Sequence, residues 1–296
     1  MDAVAVPRPR AASRPARLGN RLRHGPLHAA IVAICLLWMV PTLGLLVSSF
    51  RPPNLVATTG WWCALAPPFQ FTLENYQRVL TTNNMGQSFL NSLFVAIPAT
   101  VIPILIAAYA AYAFAWMEFP GRQALFLVVV GLLVVPLQST LIPVLRLFTD
   151  LGLTGTFLGI WLAHTGYGLP FAIYLLRNFF GNLPREMLES AYIDGADPFT
   201  VFFRLVLPTS VPAIASLAIF QFMWVWNDLL IALVYLGGSP DVAPLPVTVS
   251  NLVNSFGQNW QLLTAAAFIS MILPLLVFFA LQRYFVTGLL AGSVKE

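Results

Sequence analysis

The chain is 296 residues long, 58% hydrophobic and only 9% charged, with a formal net charge of +4 and a mean hydropathy of +0.80. Soluble globular chains carry about 25% charged residues, so this composition excludes that class and indicates an all-α, polytopic membrane protein. A bilayer span needs about 20 mainly apolar residues, and six such stretches are legible, near 29–49, 93–115, 124–146, 157–176, 211–236 and 263–282.

In chain order, an arginine-rich start (Arg8, Arg10, Arg14, Arg17, Arg21, Arg23) precedes the first apolar run. Its prolines argue against an amphipathic transit peptide. The run itself is too long for a secretory signal core and lacks a small-residue cleavage site, so it is expected to remain as an anchor. The loop 51–87 is rich in proline and aromatics, and Trp61 and Trp62 are expected to anchor at the membrane interface rather than to form a sugar-stacking platform. The second span contains Pro98 and Pro103, the third Pro136 and Pro143. Prolines are tolerated in spans where neighbours satisfy the freed carbonyls, so kinked, packed helices are expected, with close contact along Ala107 to Ala113.

Basic residues set the orientation. Besides the first six, Arg122, Arg177, Arg185, Arg204, Arg283 and Lys295 fall on the same side, against Arg51, Arg78 and Arg146 on the other. The asymmetry places both termini and the loop 182–208 in the cytoplasm. The positive charge is thereby accounted for without nucleic acid.

Polar residues inside spans are expensive and mark candidate pathways. Gln138, His164, Tyr167, Gln221, Asn227 and Asp228 are the candidates for a translocation path, with interhelical hydrogen bonding as the competing role of each. Asp228 also motivates an alternative, an ion-coupled secondary transporter, although the halves show no repeat symmetry of the kind such folds carry. Cys35 and Cys63 have no metal or disulfide partner in the pattern. His24, His28 and His164 form no metal-ligand cluster, and no catalytic constellation is found. A phosphate-binding loop needs a lysine within its glycine-rich turn. Lys295 is the single lysine, so the chain is not expected to hydrolyse ATP.

The most polar interruption is 182–208, NLPREMLESAYIDGADPFTVFFRLVLP. Pro184 suits a first helical turn and Gly195 lies where a left-handed residue ends a helix. Asp197 and Pro198 open a second helix, with Phe199, Phe202, Phe203 and Val206 at helical spacing, and Pro208 is expected to stop it. The unit leaves apolar side chains, Met187, Leu188, Ala191, Tyr192 and the phenylalanines, that it cannot bury alone, so a partner is expected to cover them.

Glu189-Ser190-Ala191, three residues, Gly195, nine residues and Leu205-Val206-Leu207-Pro208 resemble the EAA loop of bacterial ABC-importer permeases, with Ser190 and Leu205 as small departures. The tail Gln282 to Glu296, Asn91-Ser92, Leu169-Pro170-Phe171-Ala172 and Trp226-Asn227-Asp228 are similar to the smaller permease of maltose-type sugar importers. The words Arg51-Pro52-Pro53 and Gly60-Trp61-Trp62 resemble α-glucoside permeases.

The resemblance implies a type I importer permease fold. It divides the chain into a cytoplasmic N-terminus (1–27), a first span with its extracytoplasmic loop (28–87), a permease core (88–285) with the coupling loop 182–208, and a cytoplasmic tail (286–296). It implies a heterodimer with a second permease subunit, two ATPase subunits that bind ATP and Mg, and an extracytoplasmic sugar-binding protein. The ATPase-coupling residues carried over are Glu189, Ser190, Ala191, Asp194, Gly195, Ala196, Leu207 and Pro208. The tail from Gly288 would lie near the ATPase dimer, and the loop 251–259 would face the binding protein. In this family most direct sugar contacts belong to the larger permease, which would leave His164, Asn227 and Asp228 lining the path without binding sugar.

Overall fold

A computed structural model describes residues 14–82, 84–252 and 259–291, with side chains over 25–81, 84–252 and 259–283. The arginines before residue 14, most of the 251–259 loop and the tail beyond Ala291 lie outside the described residues. The described chain is helical: α1 (Arg14–Ser49), α2 (Pro53–Thr58), a 3-10 turn (Trp61–Leu65), α3 (Glu74–Thr82), α4 (Met85–Trp116), α5 (Arg122–Leu132), α6 (Leu137–Asp150), α7 (Phe157–Gly181), α8 (Arg185–Ile193), α9 (Pro198–Val201), a π turn (Phe202–Val206), α10 (Leu207–Thr209), α11 (Val211–Trp226), α12 (Leu230–Tyr235), α13 (Leu245–Ser250) and α14 (Trp260–Ala291).

Gly25–Ser49, Met85–Trp116 and Trp260–Arg283 are long and apolar enough to cross a bilayer unaided. Two bent pairs, Arg122–Leu132 with Leu137–Asp150 at 101° and Pro198–Thr209 with Val211–Trp226 at 72°, add two more crossings if each pair is one span. The 25-residue α7 makes the sixth long segment and packs along α4. This arrangement is consistent with six spans.

Two of the expected spans differ from a straight helix. The run 124–146 is broken between Leu132 and Leu137, because Pro136 has no N–H to continue the ladder and instead precedes α6 as its N-cap, with φ −65° and ψ 127°. The run 211–236 is interrupted at 227–229, where Asn227 ends α11 and Asp228 starts α12.

By contrast α4 runs unbroken through Pro98 and Pro103. A proline removes the N–H that would bond the carbonyl four residues earlier, here those of Phe94 and Ala99. Both carbonyls find donors on neighbouring helices. The Trp161 indole donates to Phe94 O at 2.9 Å, and the Gln221 amide donates to Ala99 O at 3.1 Å. The same device recurs in α14, where Trp226 Nε1 donates to Ser270 O at 3.1 Å, four residues before Pro274. Three prolines in long helices are thus splinted from outside.

Two clusters form the core, one along each half of α4. Val95, Ala96 and Ala99 pack with Ile160, Trp226 and Tyr235 at its start. Ala107, Ala108 and Ala111 pack with Ile173, Leu176 and Leu217 toward its end. The small side chains of α4 let α7 approach closely, which replaces the missing hydrophobic drive between helices in lipid by dispersion contact. Outside this core much of α1 is exposed, Leu37 and Trp38 among its side chains, as a lipid-facing helix should be.

The segment after α1 is tied down by polar groups. Arg51 is buried and donates to the carbonyls of Leu55 and Thr59 and to the Thr59 hydroxyl. Asn75 donates to the carbonyls of Ser49 and Arg51, both at 2.9 Å. Trp61 lies against α1 at Gly44, where an added Cβ would stand 2.7 Å from its Nε1. Trp62 stays exposed beside it.

Candidate coupling loop and translocation path

The loop is a locked helix pair. α8 ends in a left-handed residue, Gly195 with φ +85°, and the Gly195 and Ala196 amides donate to the carbonyls of Tyr192 and Ala191, both at 3.0 Å. This pair of bonds is a Schellman motif, which satisfies the last carbonyls of the helix. Asp197 then caps α9: its Oδ1 accepts from Phe199 N at 2.8 Å and Thr200 N at 3.0 Å, and its Oδ2 accepts from the Thr200 hydroxyl at 2.8 Å. The Thr200 amide first, and its hydroxyl second, hold the Asp197 carboxyl below its ordinary value.

Pro208 does not stop the second helix as expected. The chain widens into the π turn, where Leu207 N donates to Phe202 O, and the helix continues through Pro208 to Thr209. The wider turn accommodates a ring that would otherwise press on the Arg204 carbonyl. The Thr209 hydroxyl takes up the Leu205 carbonyl at 2.7 Å, and the chain bends at Ser210 into α11.

The expectation that a partner covers every apolar side chain of the loop is corrected in part. Leu188, Val201, Phe202 and Val206 are buried against this chain's own α4, α7 and α11, each worth about 1.5–3 kcal/mol of burial. Met187, Ala191 and Leu207 are half-buried at the edge of that cluster. What remains outward is Tyr192, Ile193 at 85% exposure, Phe199 at 71% and Phe203. Glu189, Ser190, Asp194 and Pro208 are exposed, and Ala196 half-buried. Glu189 makes no ion pair among the described residues. Sequence reasoning did not single out Ile193; the available signal was an apolar β-branched residue directly beside Asp194 and Gly195.

The six path candidates divide. Gln221 is buried and held by Ala99 O, with its amide against Gly168, where a Cβ would come within 2.7 Å of Nε2. Tyr167 belongs to a chain of hydroxyls: it lies 2.8 Å from the Tyr235 hydroxyl, which donates to Leu141 O, and it accepts from Thr140 at 3.0 Å. Asn227 is exposed, and its amide donates to Met223 O at 2.7 Å, closing α11. Asp228 caps α12 by accepting from Ile231 N at 3.3 Å and Ala232 N at 3.0 Å. His164 is buried, edge-on to Trp224, with Nε2 3.8 Å from Asp228 Oδ2. Gln138 is exposed at the start of α6.

Tyr167 and Trp224 lie between two clefts, of 280 Å³ and 300 Å³. The first is walled by Tyr167 and Phe171 on α7 and Phe220 and Trp224 on α11. Each pair is spaced by four residues and so shares a helix face. That spacing could have flagged Phe171, Phe220 and Trp224 in the sequence.

A helix–glycine–helix loop bolted to a bundle of broken and splinted spans is the arrangement that comparison with known proteins then identifies. Residues 32–290 match the family model described as binding-protein-dependent transport system inner membrane component. The chain belongs to this permease family. It is 63% identical over 274 residues, 92% of each chain, to the osmoprotective compounds uptake permease protein GgtD of Synechocystis sp.. It is 44% identical to the alpha-glucoside transport system permease protein AglG of Rhizobium meliloti, covering 93% of this chain and 99% of that one. Among solved structures, a chain of a bacterial ABC transporter that imports the acidic polysaccharide alginate superposes with a TM-score of 0.72 at 21% identity, over 94% of this chain and all of that one, which is a likeness of fold. As a family member this permease is a multi-pass membrane subunit without catalysis of its own.

Proposed function

We propose that this permease is one of two membrane subunits of an ATP-driven sugar importer, taking α-glucosides or osmoprotective compounds. The observation that carries the reading is the outward face of the coupling loop, where Glu189, Ile193 and Phe199 are exposed on a helix pair whose opposite face is buried in the bundle. A cleft on an ATPase subunit seats this face, with Glu189 meeting a basic residue and Ile193 and Phe199 filling an apolar hollow. Two ATPase subunits hold ATP and Mg. A second, non-identical permease completes the pore, and an extracytoplasmic binding protein delivers the sugar. Both chain ends and the coupling loop lie in the cytoplasm, in line with the arginine asymmetry.

Within the pore, the aromatic wall of Tyr167, Phe171, Phe220 and Trp224 forms this subunit's side of the path. Gln221, Asn227 and Asp228 shape it by holding helix ends and carbonyls. The names of GgtD, an uptake permease for osmoprotective compounds, and AglG, an alpha-glucoside permease, support cargo of these two kinds. The ion-coupled alternative gains no support from the relatives, and the Asp228 carboxylate already serves as the cap of α12.

The test is co-purification. Expressed with its neighbouring genes, the unaltered chain should bring down an ATPase, and Ile193→Asp with Phe199→Asp should lose the ATPase while keeping the second permease. Retention of both subunits with intact sugar-stimulated hydrolysis would refute the seat. A thermal-shift series of the binding protein with sucrose, trehalose and maltose then identifies the cargo.

A further inference from the structure

We propose that α4 is a strut that carries movement of the coupling loop to the opposite face of the molecule, with Tyr112 as the joint at one end and Asn91 at the other. The inference rests on the reading of the loop as the ATPase seat and adds the route by which its movement travels.

At the loop end, the buried Tyr112 hydroxyl lies 3.1 Å from the Tyr192 hydroxyl and 3.2 Å from the Pro198 carbonyl. A phenol has one proton to give and the carbonyl can only accept. Tyr112 therefore donates to Pro198 O and accepts from Tyr192. One hydroxyl thus grips α8 and α9, the helices on either side of the Gly195 turn. One turn further on, Trp116 Nε1 donates to Phe180 O near the end of α7 at 2.9 Å.

At the other end, three α4 residues within little more than one turn, Ser88, Asn91 and Ser92, hold the segment between α12 and α14. Asn91 Nδ2 donates to Asp241 O at 3.0 Å and Ala243 O at 3.1 Å, while its Oδ1 accepts from Gln87 at 3.0 Å. The Ser88 and Thr248 hydroxyls lie 2.6 Å apart, and Leu245 N donates to Ser92 Oγ at 2.7 Å. From Asn91 to Tyr112 a helix rises about 32 Å, the depth of a bilayer core.

A strut has to be stiff, and Pro98 and Pro103 would weaken this one. Trp161 and Gln221 supply the two hydrogen bonds that the prolines cannot make, so α4 crosses as a single helix. The two bent pairs have no such continuity: α5 and α6 meet at 101°, and Pro198–Thr209 meets α11 at 72°. Tyr112 is a positioning residue in this scheme, because it acts through the two loop helices that its hydroxyl holds.

The experiment uses the complete importer in liposomes, with the binding protein supplied with sucrose or trehalose. Tyr112→Phe keeps the ring beside Phe202 and removes only the hydroxyl. Asn91→Ala removes the joint at the far end. Each single variant should retain the ATPase and its unstimulated hydrolysis, while stimulation by the binding protein falls about fivefold. The double variant should fall no further than the worse single, since a strut released at one end is already idle.

Stimulation within twofold of the unaltered importer in both singles, or a double loss equal to the product of the singles, overturns the strut. Should Asn91→Ala fail to assemble, Ser88→Ala replaces it in the same comparison. Absence of an ATPase from the unaltered complex removes the coupling reading and the strut together; normal stimulation with the ATPase present removes the strut alone.

Discussion

The side-chain amide of Gln221 donates to the main-chain carbonyl of Ala99 across 3.1 Å, in place of the N–H that Pro103 lacks. A glutamine in the fifth apolar stretch, together with Trp161 in the fourth, thereby explains why a helix with two prolines in the second does not break. In a chain surrounded by lipid no water is at hand to take that carbonyl, and an unpaired buried acceptor costs about 1–3 kcal/mol.

Gln221→Met keeps the length and removes the donor. It should lower the midpoint of thermal unfolding in detergent while leaving the sugar preference of the importer unchanged. A changed preference at unchanged stability would instead make Gln221 a wall of the path that touches sugar.

Trp226→Phe should act in the same way on α14, because it frees the Ser270 carbonyl before Pro274 while retaining most of the ring contact with Phe89 and Phe222. The expected loss is about 1–3 kcal/mol. Pro274→Ala in the same background should recover much of it, since the helix then supplies its own N–H. Recovery is read from thermal unfolding of the double variant against each single.

Gly195 has open space where a Cβ would be added, so its constraint is the backbone angle alone. Gly195→Ala should weaken the turn by about 1 kcal/mol, and Gly195→Asn by less. Hydrogen exchange at the amides of Gly195 and Ala196, which close the Schellman motif, measures the loosening directly. Equal exchange in all three forms would contradict the left-handed turn.

Asp197 should make the coupling loop acid-sensitive. Its carboxyl is held below the ordinary range in the folded loop, so the cap's contribution is complete above the unfolded value near ~4 and fades as the pH falls through the lower folded value. Protection of the Phe199 and Thr200 amides should therefore persist at pH 5 and decline in stronger acid. In Asp197→Asn the same protection should show no such decline.

Much of this was legible without coordinates. Apolar run lengths, arginine placement and the spacing from Glu189 to Pro208 are local properties of the chain, and each maps onto a physical requirement of bilayer, charge or turn. The cap at Asp197 and the turn at Gly195 are of this kind, since their partners lie within five residues. Pro208 does not end its helix, and the π turn that admits it has no local marker in the sequence. The cover of Leu188 and Phe202 is not legible locally, because it comes from α4, α7 and α11, distant in sequence.

Sequence by itself therefore determined the solvent, the class of fold and the helix–glycine–helix form of the 182–208 loop, since hydropathy, charge and turn chemistry act over one or two helical turns. Only the tertiary structure decided which polar side chains serve the helices themselves. Gln221, Trp161 and Trp226 complete hydrogen bonds that prolines on other helices leave open, and those pairings exist only once the bundle has closed. The same holds for Tyr112 and Asn91, whose partners lie about 80 and 150 residues away and meet them because a buried polar group in a membrane must find its partner inside the protein.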